Sequence, residues 1–278
     1  MRFITFGIGV FASLFLIAGC FTGQNPQNND DNDSIDIDST ITELDLYEKR
    51  EIPTSVDDNF EDFFYAFVTE QEFMMQRILF PLEDYDPEYT TYIDKDQWED
   101  NDVFANEQLY TFIYSNDKDI ELLKNSTLSS VRLQWVTLDS CLINCYDFRK
   151  EDGLWRLTKL ERIELQESYY DDFINFYKKF VKDKDFQVES ISYPIQLKSS
   201  GSSEMDEGGD LELYPDDWMK FQQEVPLPDK RIVIMDYNQT VTWDAPVNML
   251  IRGITNEMYI NYHFERNNGQ WKLTSVEF

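Results

Sequence analysis

Histidine, cysteine and basic residues are scarce in this chain of 278 residues. It has one histidine and three cysteines, and its 24 Lys and Arg residues stand against 54 Asp and Glu residues, which gives a formal net charge of −30. So few histidines and cysteines do not fill a tetrahedral zinc site. A strongly negative field repels nucleic acid phosphates. The composition therefore predicts no metal and no cofactor, and it excludes nucleic acid as a partner. The simplest explanation of the negative charge is that it keeps the protein soluble.

The familiar catalytic motifs are also missing. The sequence has no GxSxG, no P-loop, no HExxH and no GxGxxG in a strand-turn-helix context. His263 alternates with Tyr262 and Phe264, so we expect it to point away from the face that those aromatic rings bury. An exposed histidine on a sheet is the simpler interpretation, and a catalytic base is the alternative. We predict no catalytic residue, and we favour a non-catalytic protein over an enzyme.

The first residues carry the most specific motif. Residues 1–19 contain the apolar run FITFGIGVFASLFLIA, which has the length of a secretory signal and is short for a membrane span. It ends in Ile17-Ala18-Gly19-Cys20, which resembles a bacterial lipobox. The resemblance implies cleavage before Cys20 and lipidation of its sulfur; a plain signal peptide with a chance cysteine is the alternative. We expect a lipid anchor in a bacterial envelope membrane, the outer membrane by preference, with a soluble body in the periplasm or at the cell surface.

Residues 20–52 are predicted to be a disordered acidic tether. They are rich in Asn and Asp and poor in aromatic residues, so they cannot bury enough apolar surface to offset chain entropy. Farther along, Cys141 and Cys145 lie four residues apart, which is about 13 Å along a strand. We expect both thiols to be free unless the chain bends between them.

An internal repeat defines the domain organisation. The stretch YDFRKEDGLWRLTKL from Tyr146 matches YHFERNNGQWKLTSV from Tyr262 at a constant offset of 116, for example 271 minus 155 for the two tryptophans. Upstream, FEDFFYAFV from Phe60 matches FINFYKKFV from Phe173 at an offset of 113. Similarity at this scale indicates duplicated domains and not a solenoid. We predict two domains, residues 53–165 and 166–278.

The same elements are expected in each domain. Phe60, Phe63, Phe64 and Phe67 form an apolar helical stripe that Asp57 or Asp58 would cap. A Thr69–Glu72 capping box predicts a second helix that ends at Pro81. A third helical turn is predicted after Asp96 and after Asp216. Three β-rich runs close each domain: SVRLQWVTL, CLINCYDFR and LWRLTKLERI in the first, and VNMLIRGI, EMYINYHFER and QWKLTSVEF in the second. The last two runs should form a hairpin in which Gly153, or Gly269 in the copy, supplies a positive φ.

Helices followed by a long antiparallel sheet with a Gly-Trp hairpin resemble the nuclear-transport-factor-two-like fold, an α+β cone that is also called cystatin-like. Two such domains behind a lipobox are similar to a family of uncharacterised Gram-negative (Bacteroidetes-type) lipoproteins, a domain of unknown function. The resemblance covers residues 55–278 and implies a pocket between the helices and the concave sheet. Enzymes of the superfamily use an acid or histidine base with a tyrosine in that pocket, whereas many members bind ligands or dimerise.

Aromatic residues give the only hint of a ligand. The chain has 21 Phe, 16 Tyr and 6 Trp, and an aromatic cone is able to enclose a small apolar ligand or a glycan. Trp98 and Trp218, near the helical end of each cone, are the tentative ligand-binding residues, and core packing is their alternative role. We therefore expect a protein that binds a small ligand or another envelope protein. An isomerase-like or dehydratase-like enzyme and a structural spacer are the alternatives.

Overall fold

A computed structural model describes residues 54–98, 104, 109–140, 142–198, 211–225, 227–253 and 258–278. Residues Glu51–Phe278 form one compact unit. The predicted signal peptide, Cys20, the whole of the tether and Cys141 lie outside the described residues, so these interpretations stay predictions. The predicted boundary between residues 165 and 166 falls inside the compact unit and also stays a prediction.

Helices and strands appear in the same order in two successive stretches of the chain. The helices are α1 (Phe60–Thr69), α2 (Gln71–Arg77), α3 (Lys95–Trp98), α4 (Asp117–Leu123), α5 (Asp171–Lys182), α6 (Lys184–Glu189) and α7 (Pro215–Glu224). The strands are β1 (Ile78–Tyr85), β2 (Thr90–Ile93), β3 (Leu109–Tyr114), β4 (Ser130–Thr137), β5 (Leu142–Glu151), β6 (Leu154–Glu164), β7 (Ile191–Lys198), β8 (Leu211–Leu213), β9 (Arg231–Asp236), β10 (Val247–Gly253), β11 (Tyr259–Asn267) and β12 (Gln270–Glu277). Within the described residues, only α4 has no counterpart in the second stretch.

Helix α1 forms for the predicted reason but begins at a different cap. The four phenylalanines of its stripe are buried against the sheet, as the spacing predicts. The cap is Asn59, whose side chain accepts a hydrogen bond from the Asp62 backbone N–H at 2.9 Å. Our assignment of Asp57 or Asp58 as the cap was wrong, because a 3-10 turn at Thr54–Asp57 precedes the helix and directs Asp57 into the core.

The second helix is shorter than predicted. Thr69 closes α1 and its hydroxyl donates to the Tyr65 carbonyl at 2.9 Å, so the Thr69–Glu72 capping box does not form. Helix α2 ends at Arg77, and Pro81 lies within β1. The register between β1 and β6 shifts between Ile78 and Glu83, and this irregular segment accommodates a proline that cannot donate to a ladder.

The repeated sequence forms the two hairpins that it predicts. Gly153 and Gly269 have φ values of 81° and 78°, and the residues before them, Asp152 and Asn268, have 50° and 51°. Two successive positive φ values define a type I′ turn, which matches the right-handed twist of the flanking strands. The hairpins β5–β6 and β11–β12 are therefore set by local sequence.

All twelve strands form one continuous sheet. The strand order is β2-β1-β6-β5-β4-β9-β3-β10-β11-β12-β7-β8. The order is palindromic for equivalent strands, but β9 lies in the half of the sheet that the first stretch of the chain forms, and β3 lies in the other half. Strand β9 pairs with β4, whereas β3 pairs with β10, and the two exchanged strands run parallel to each other at the centre. Each half of the sheet is thus completed by a strand from the other half of the chain.

Two hydrophobic cores lie on opposite faces of this sheet. Alternate residues of β9 belong to different cores: Val233 and Met235 pack with the phenylalanines of α1, and Ile232 and Ile234 pack with the aromatic residues of α5. Because successive side chains of a strand point to opposite faces, the two clusters are separated by the sheet itself. We call the cluster around α1 the first core and the cluster around α5 the second core.

Both cores are filled by interlocking aromatic rings. In the first core, Phe60 contacts Phe148 and Trp155 edge-on with ring centroids 5.4 and 5.0 Å apart. In the second core, Phe173 contacts Phe264 and Trp271 at 5.2 and 5.3 Å with the same geometry. Edge-to-face contacts are the favoured geometry for such pairs. Across the described part of the chain, no helix combines the length and the apolar character that spanning a membrane requires.

Candidate functional site

The two predicted ligand-binding residues lie deep in the two cores. Trp98 belongs to the first core and Trp218 to the second, and both are almost fully buried. The indole nitrogen of Trp218 donates to the side-chain oxygen of Gln187 at 3.2 Å. The walls of the cavities described below contain neither tryptophan. Their role in binding stays a prediction.

His263 lies on the face of β11 opposite the second core, as its alternation with Tyr262 and Phe264 predicts. Its Nδ1 is 2.5 Å from the side-chain oxygen of Asn248, and its Nε2 is 3.5 Å from a carboxylate oxygen of Glu277. These contacts link the imidazole on β11 to side chains of the two neighbouring strands, β10 and β12.

Two of the three equivalent positions of the first half carry different side chains: Arg132 stands for Asn248 and Asp147 for His263, whereas Glu161 matches Glu277. Arg132 donates to both oxygens of Asp147 at 2.6 and 2.8 Å and to Glu161 at 2.7 Å. The bond to Asp147 raises the pKa of the Arg132 guanidinium. A bidentate ion pair in the first half is thus replaced by an Asn–His pair in the second, so the outer faces of the two copies differ in chemistry.

The buried carboxylates have structural partners. Asp57 accepts from the Arg77 guanidinium at 2.7 Å and from the Trp155 backbone N–H at 2.8 Å. Asp119 accepts from the backbone N–H groups of Ser115 and Asn116 at 3.2 and 3.1 Å. The Asp57 bonds tie the segment before α1 to the β5–β6 hairpin, and the Asp119 bonds close the turn before α4.

Cys145 is a free, buried cysteine of β5. Burial is the largest influence on its thiol and raises the pKa to about 12. A thiol with this pKa is protonated at neutral pH and packs as a small apolar group.

A cavity of about 240 Å³ opens between α1, α4 and the central strands β9, β3 and β10. We call it the α1 groove. Its wall is mainly apolar and is formed by Glu61, Asp62, Phe64, Tyr65, Val68, Tyr110, Phe112, Ile120, Leu123, Lys124, Met235, Leu250, Arg252 and Gly253. Two helices and three strands from both halves of the chain contribute to it, so regular elements hold its shape.

Four charged side chains surround the mouth of the α1 groove. Glu61 and Asp62 lie on α1, Lys124 follows α4, and Arg252 lies at the end of β10. Glu61 and Arg252 form an ion pair at the surface. An exposed pair of this kind stabilises a protein by only about 0–1 kcal/mol. A charged ligand is therefore able to take the place of one partner at low cost.

Other cavities offer less defined walls. The largest, about 710 Å³, lies at the ends of the central strands beside the segment after α7, where loops supply much of the wall. A polar recess of about 280 Å³ surrounds Arg132 and Asp147, whose charges already neutralise each other. Among the residues that the structure describes, no group of three or more His, Cys, Asp or Glu side chains is placed to hold a metal ion. The α1 groove is the candidate site, because it combines an apolar wall with converging charges.

The fold resemblance implied a pocket between the helices and the sheet, and the α1 groove lies in such a place, but none of its wall residues was predicted to bind a ligand. Its floor is made by β3 and β9, and neither LYTFIY nor RIVIMD was assigned as a strand from the sequence. The available signal was the short, nearly continuous apolar run in each segment, which is typical of a strand that is buried on both faces. The position of the groove could not be read from the repeat, because it depends on the exchange of these two strands.

Comparison with known proteins agrees with this architecture. A crystal structure of an NTF2-like protein from Bacteroides fragilis NCTC 9343 matches with a TM-score of 0.70 and 26% sequence identity, over 81% of this chain and 97% of that chain. The large curved sheet with few helices is therefore an NTF2-like α+β fold. No match was found among curated proteins. Residues 38–277 match DUF4348, a domain of unknown function, and the chain belongs to this family.

Proposed function

We propose that this chain is a non-catalytic binding protein that holds a small amphipathic ligand in the α1 groove. The observation that supports this is the contrast between the groove and the cores. Aromatic rings fill both cores by direct contact, whereas the groove leaves about 240 Å³ open beside apolar side chains. Concave apolar pockets with a few convergent polar groups are the usual form of small-molecule sites.

The walls of the groove indicate the class of ligand. Phe64, Val68 and Leu250 offer an apolar surface, and two acidic and two basic side chains offer polar contacts at the mouth. Drug-sized ligands occupy pockets of roughly 300–1,000 Å³, so a cavity of about 240 Å³ suits a smaller molecule. The ligand is a short apolar body that ends in a polar or charged group.

The location and domain arrangement are part of the same proposal. Cleavage before Cys20 leaves a lipidated cysteine and places the protein in the cell envelope, anchored to the outer membrane. Its body consists of two NTF2-like domains, residues 53–165 and 166–278, that exchange strands β3 and β9. Replacing Cys20 by Ala moves the protein out of the membrane fraction; if the variant stays membrane-bound, the lipid anchor is wrong.

Binding in the groove is tested with 8-anilinonaphthalene-1-sulfonate, a small aromatic anion whose fluorescence rises in apolar surroundings. Val68→Trp fills the groove, and Val181→Trp makes the same change at the equivalent position of α5 as a matched control. We expect the full-length chain and Val181→Trp to bind the dye with one affinity and Val68→Trp to bind it at least ten-fold more weakly. Equal binding by all three proteins contradicts the proposal.

A structural spacer is the second candidate, because interlocking aromatic rings already pack both cores. A spacer needs no ligand. Mass spectrometry of small molecules extracted from the protein purified from its own cells separates the two. A retained small amphipathic molecule that is absent from Val68→Trp supports binding, whereas the absence of any retained molecule together with no dye binding supports the spacer.

A further inference from the structure

An aromatic and cationic stack lies at one end of the second half of the sheet. The guanidinium of Arg266 on β11 lies over the ring of Trp271 at 4.5 Å and over the ring of Trp243 at 5.2 Å. Trp271 belongs to the second core, whereas Trp243 lies in the segment between β9 and β10. Arg266 is therefore held between a core tryptophan and a surface tryptophan.

Hydrogen bonds fix this stack. Arg266 donates from Nε to the Trp243 carbonyl at 3.0 Å, from one terminal nitrogen to the Gly269 carbonyl at 3.3 Å, and from the other to Asp172. Asp172 also accepts from the Trp271 indole nitrogen at 2.7 Å. The Arg266 side chain is only 15% exposed, so solvent reaches little of the guanidinium. The ring of Trp243 on the outside of the stack is therefore the surface that a ligand can contact. The segment that carries Trp243 is thus pinned to the sheet.

The ring of Trp243 is nevertheless in contact with solvent. Trp243 is 74% exposed and Tyr169, which lines the same shallow depression, is 64% exposed. The fold gains little burial from either ring, and the bond from Arg266 to the Trp243 backbone does not require an indole at that position. A rigid, exposed aromatic surface lowers the entropic cost of binding, because its side chains are already ordered.

We propose that Trp243 and Tyr169, with Asp171, Asp172 and Thr242, form a carbohydrate-binding surface. One face of a pyranose ring presents C–H groups, which pack against the electron-rich face of an indole. The hydroxyl groups at the edge of the sugar are donors for the two carboxylates and partners for Thr242. The depression has about 70 Å³ of space, which equals about two water molecules and suits one substituent of the ring.

The charges around the stack restrict the class of glycan. Asp171 and Asp172 lie beside it, Arg266 is already neutralised by Asp172, and the whole chain carries a formal charge of −30. Acidic sugars would be repelled. The surface therefore selects neutral glycans. The same charges disfavour a membrane as the partner, because membrane-surface aromatic residues are typically accompanied by Lys or Arg.

The first half of the chain lacks this surface. Lys150 and Trp155 occupy the positions equivalent to Arg266 and Trp271, and the lysine ammonium lies 5.9 Å from the Trp155 ring. At the position equivalent to Trp243, by the offset of 116, the sequence has Thr127, which cannot provide an aromatic face. The second tryptophan of the stack belongs to one copy only.

The test uses the full-length chain in detergent micelles. Binding is measured by native electrophoresis in gels that contain a polysaccharide and by calorimetric titration with the corresponding hexasaccharide. The neutral probes are dextran, mannan, xylan and soluble β-glucan, and polygalacturonate is the acidic probe. Trp243→Ala removes the surface, and Tyr89→Ala removes an equally exposed tyrosine of the first half as the matched control. Circular dichroism establishes that each variant is folded.

We expect at least one neutral polysaccharide to retard the protein in the gel and polygalacturonate not to retard it. Trp243→Ala should bind the hexasaccharide at least ten-fold more weakly, and Tyr89→Ala should bind it with unchanged affinity. Equal binding by Trp243→Ala, or no binding to any neutral probe, overturns the proposal. Membrane contact is checked by quenching of tryptophan fluorescence in bilayer nanodiscs with brominated phosphatidylcholine. A quenched component that disappears in Trp243→Phe means that this ring lies in lipid, which also overturns the proposal.

Discussion

The exchange of β3 and β9 predicts that the two halves of the body unfold together. Leu133 on β4 and Met249 on β10 occupy equivalent positions, are fully buried, and lie in different cores. Each pairs with the strand contributed by the other half, Leu133 with Met235 and Met249 with Ile113. A substitution in either core therefore weakens the packing of a strand that the other half needs.

The size of the effect follows from burial. Replacing a fully buried Leu or Met by Ala costs about 2–5 kcal/mol. The unfolding free energy of a protein of this size falls by about 3 kcal/mol for each molar increase in urea. A loss of about 3 kcal/mol therefore lowers the urea midpoint by about 1 M. We expect Leu133→Ala and Met249→Ala each to shift one common transition. Leu142→Ala, on a side chain that is 50% exposed, is the control and should change the unfolding free energy by less than about 0.5 kcal/mol.

The measurement is hydrogen exchange with mass spectrometry across a urea series, which reports separately on peptides from residues 54–164 and 171–278. The reasoning is refuted if Leu133→Ala lowers the midpoint of the first group while the second keeps its original midpoint. Such a result would mean that the exchanged strands do not couple the two cores, and the halves would then behave as independent domains.

Three further predictions concern single groups. Asp57→Ala should cost about 3–5 kcal/mol in urea unfolding, because it leaves the Arg77 guanidinium, 13% exposed, without its carboxylate; adding Arg77→Met should recover most of the loss. Burial raises the pKa of Cys145 from 9.0 to about 12, so its contribution to stability is complete below pH 9 and is lost as the pH rises towards 12; urea midpoints should fall over that window more steeply than in Cys145→Ser. Gly153→Ala and Gly269→Ala should each cost about 1–2 kcal/mol, measured as a lower urea midpoint, because both positions have a positive φ; losses below a few tenths of a kcal/mol would contradict the turn assignment.

Local patterns in the sequence predicted the parts of the fold that local physics decides. The stripe of phenylalanines on α1, the two hairpins and the six β-rich runs that became β4–β6 and β10–β12 are confirmed. The wrong predictions concern residues whose partners are distant in the sequence. Asn59 caps α1 instead of Asp57, because Arg77 and the Trp155 backbone, both distant in sequence, bind the aspartate.

The strand exchange is the feature that sequence could not supply. Strands β3 and β9 have equivalent places in the two halves, and either is able to pair with β4 or with β10. The choice depends on the length of the connections and on packing across the sheet, and neither leaves a periodic signal. The wall residues that β3, β9 and β10 contribute to the α1 groove could not be predicted from the sequence for the same reason.

The way in which the two copies have diverged indicates where function lies. Core positions keep their chemistry: Phe63 corresponds to Phe176, and Trp155 to Trp271. Positions outside the cores do not: Asp147 is replaced by His263, and Thr127 by Trp243. A duplicated domain whose interior served a ligand would be free to change its interior in one copy, yet aromatic rings fill both cores in the same geometry. The open surfaces are the α1 groove, to which both halves contribute, and the Trp243 stack, which the second half alone carries. We therefore infer that the cores maintain the scaffold and that binding takes place on its surface.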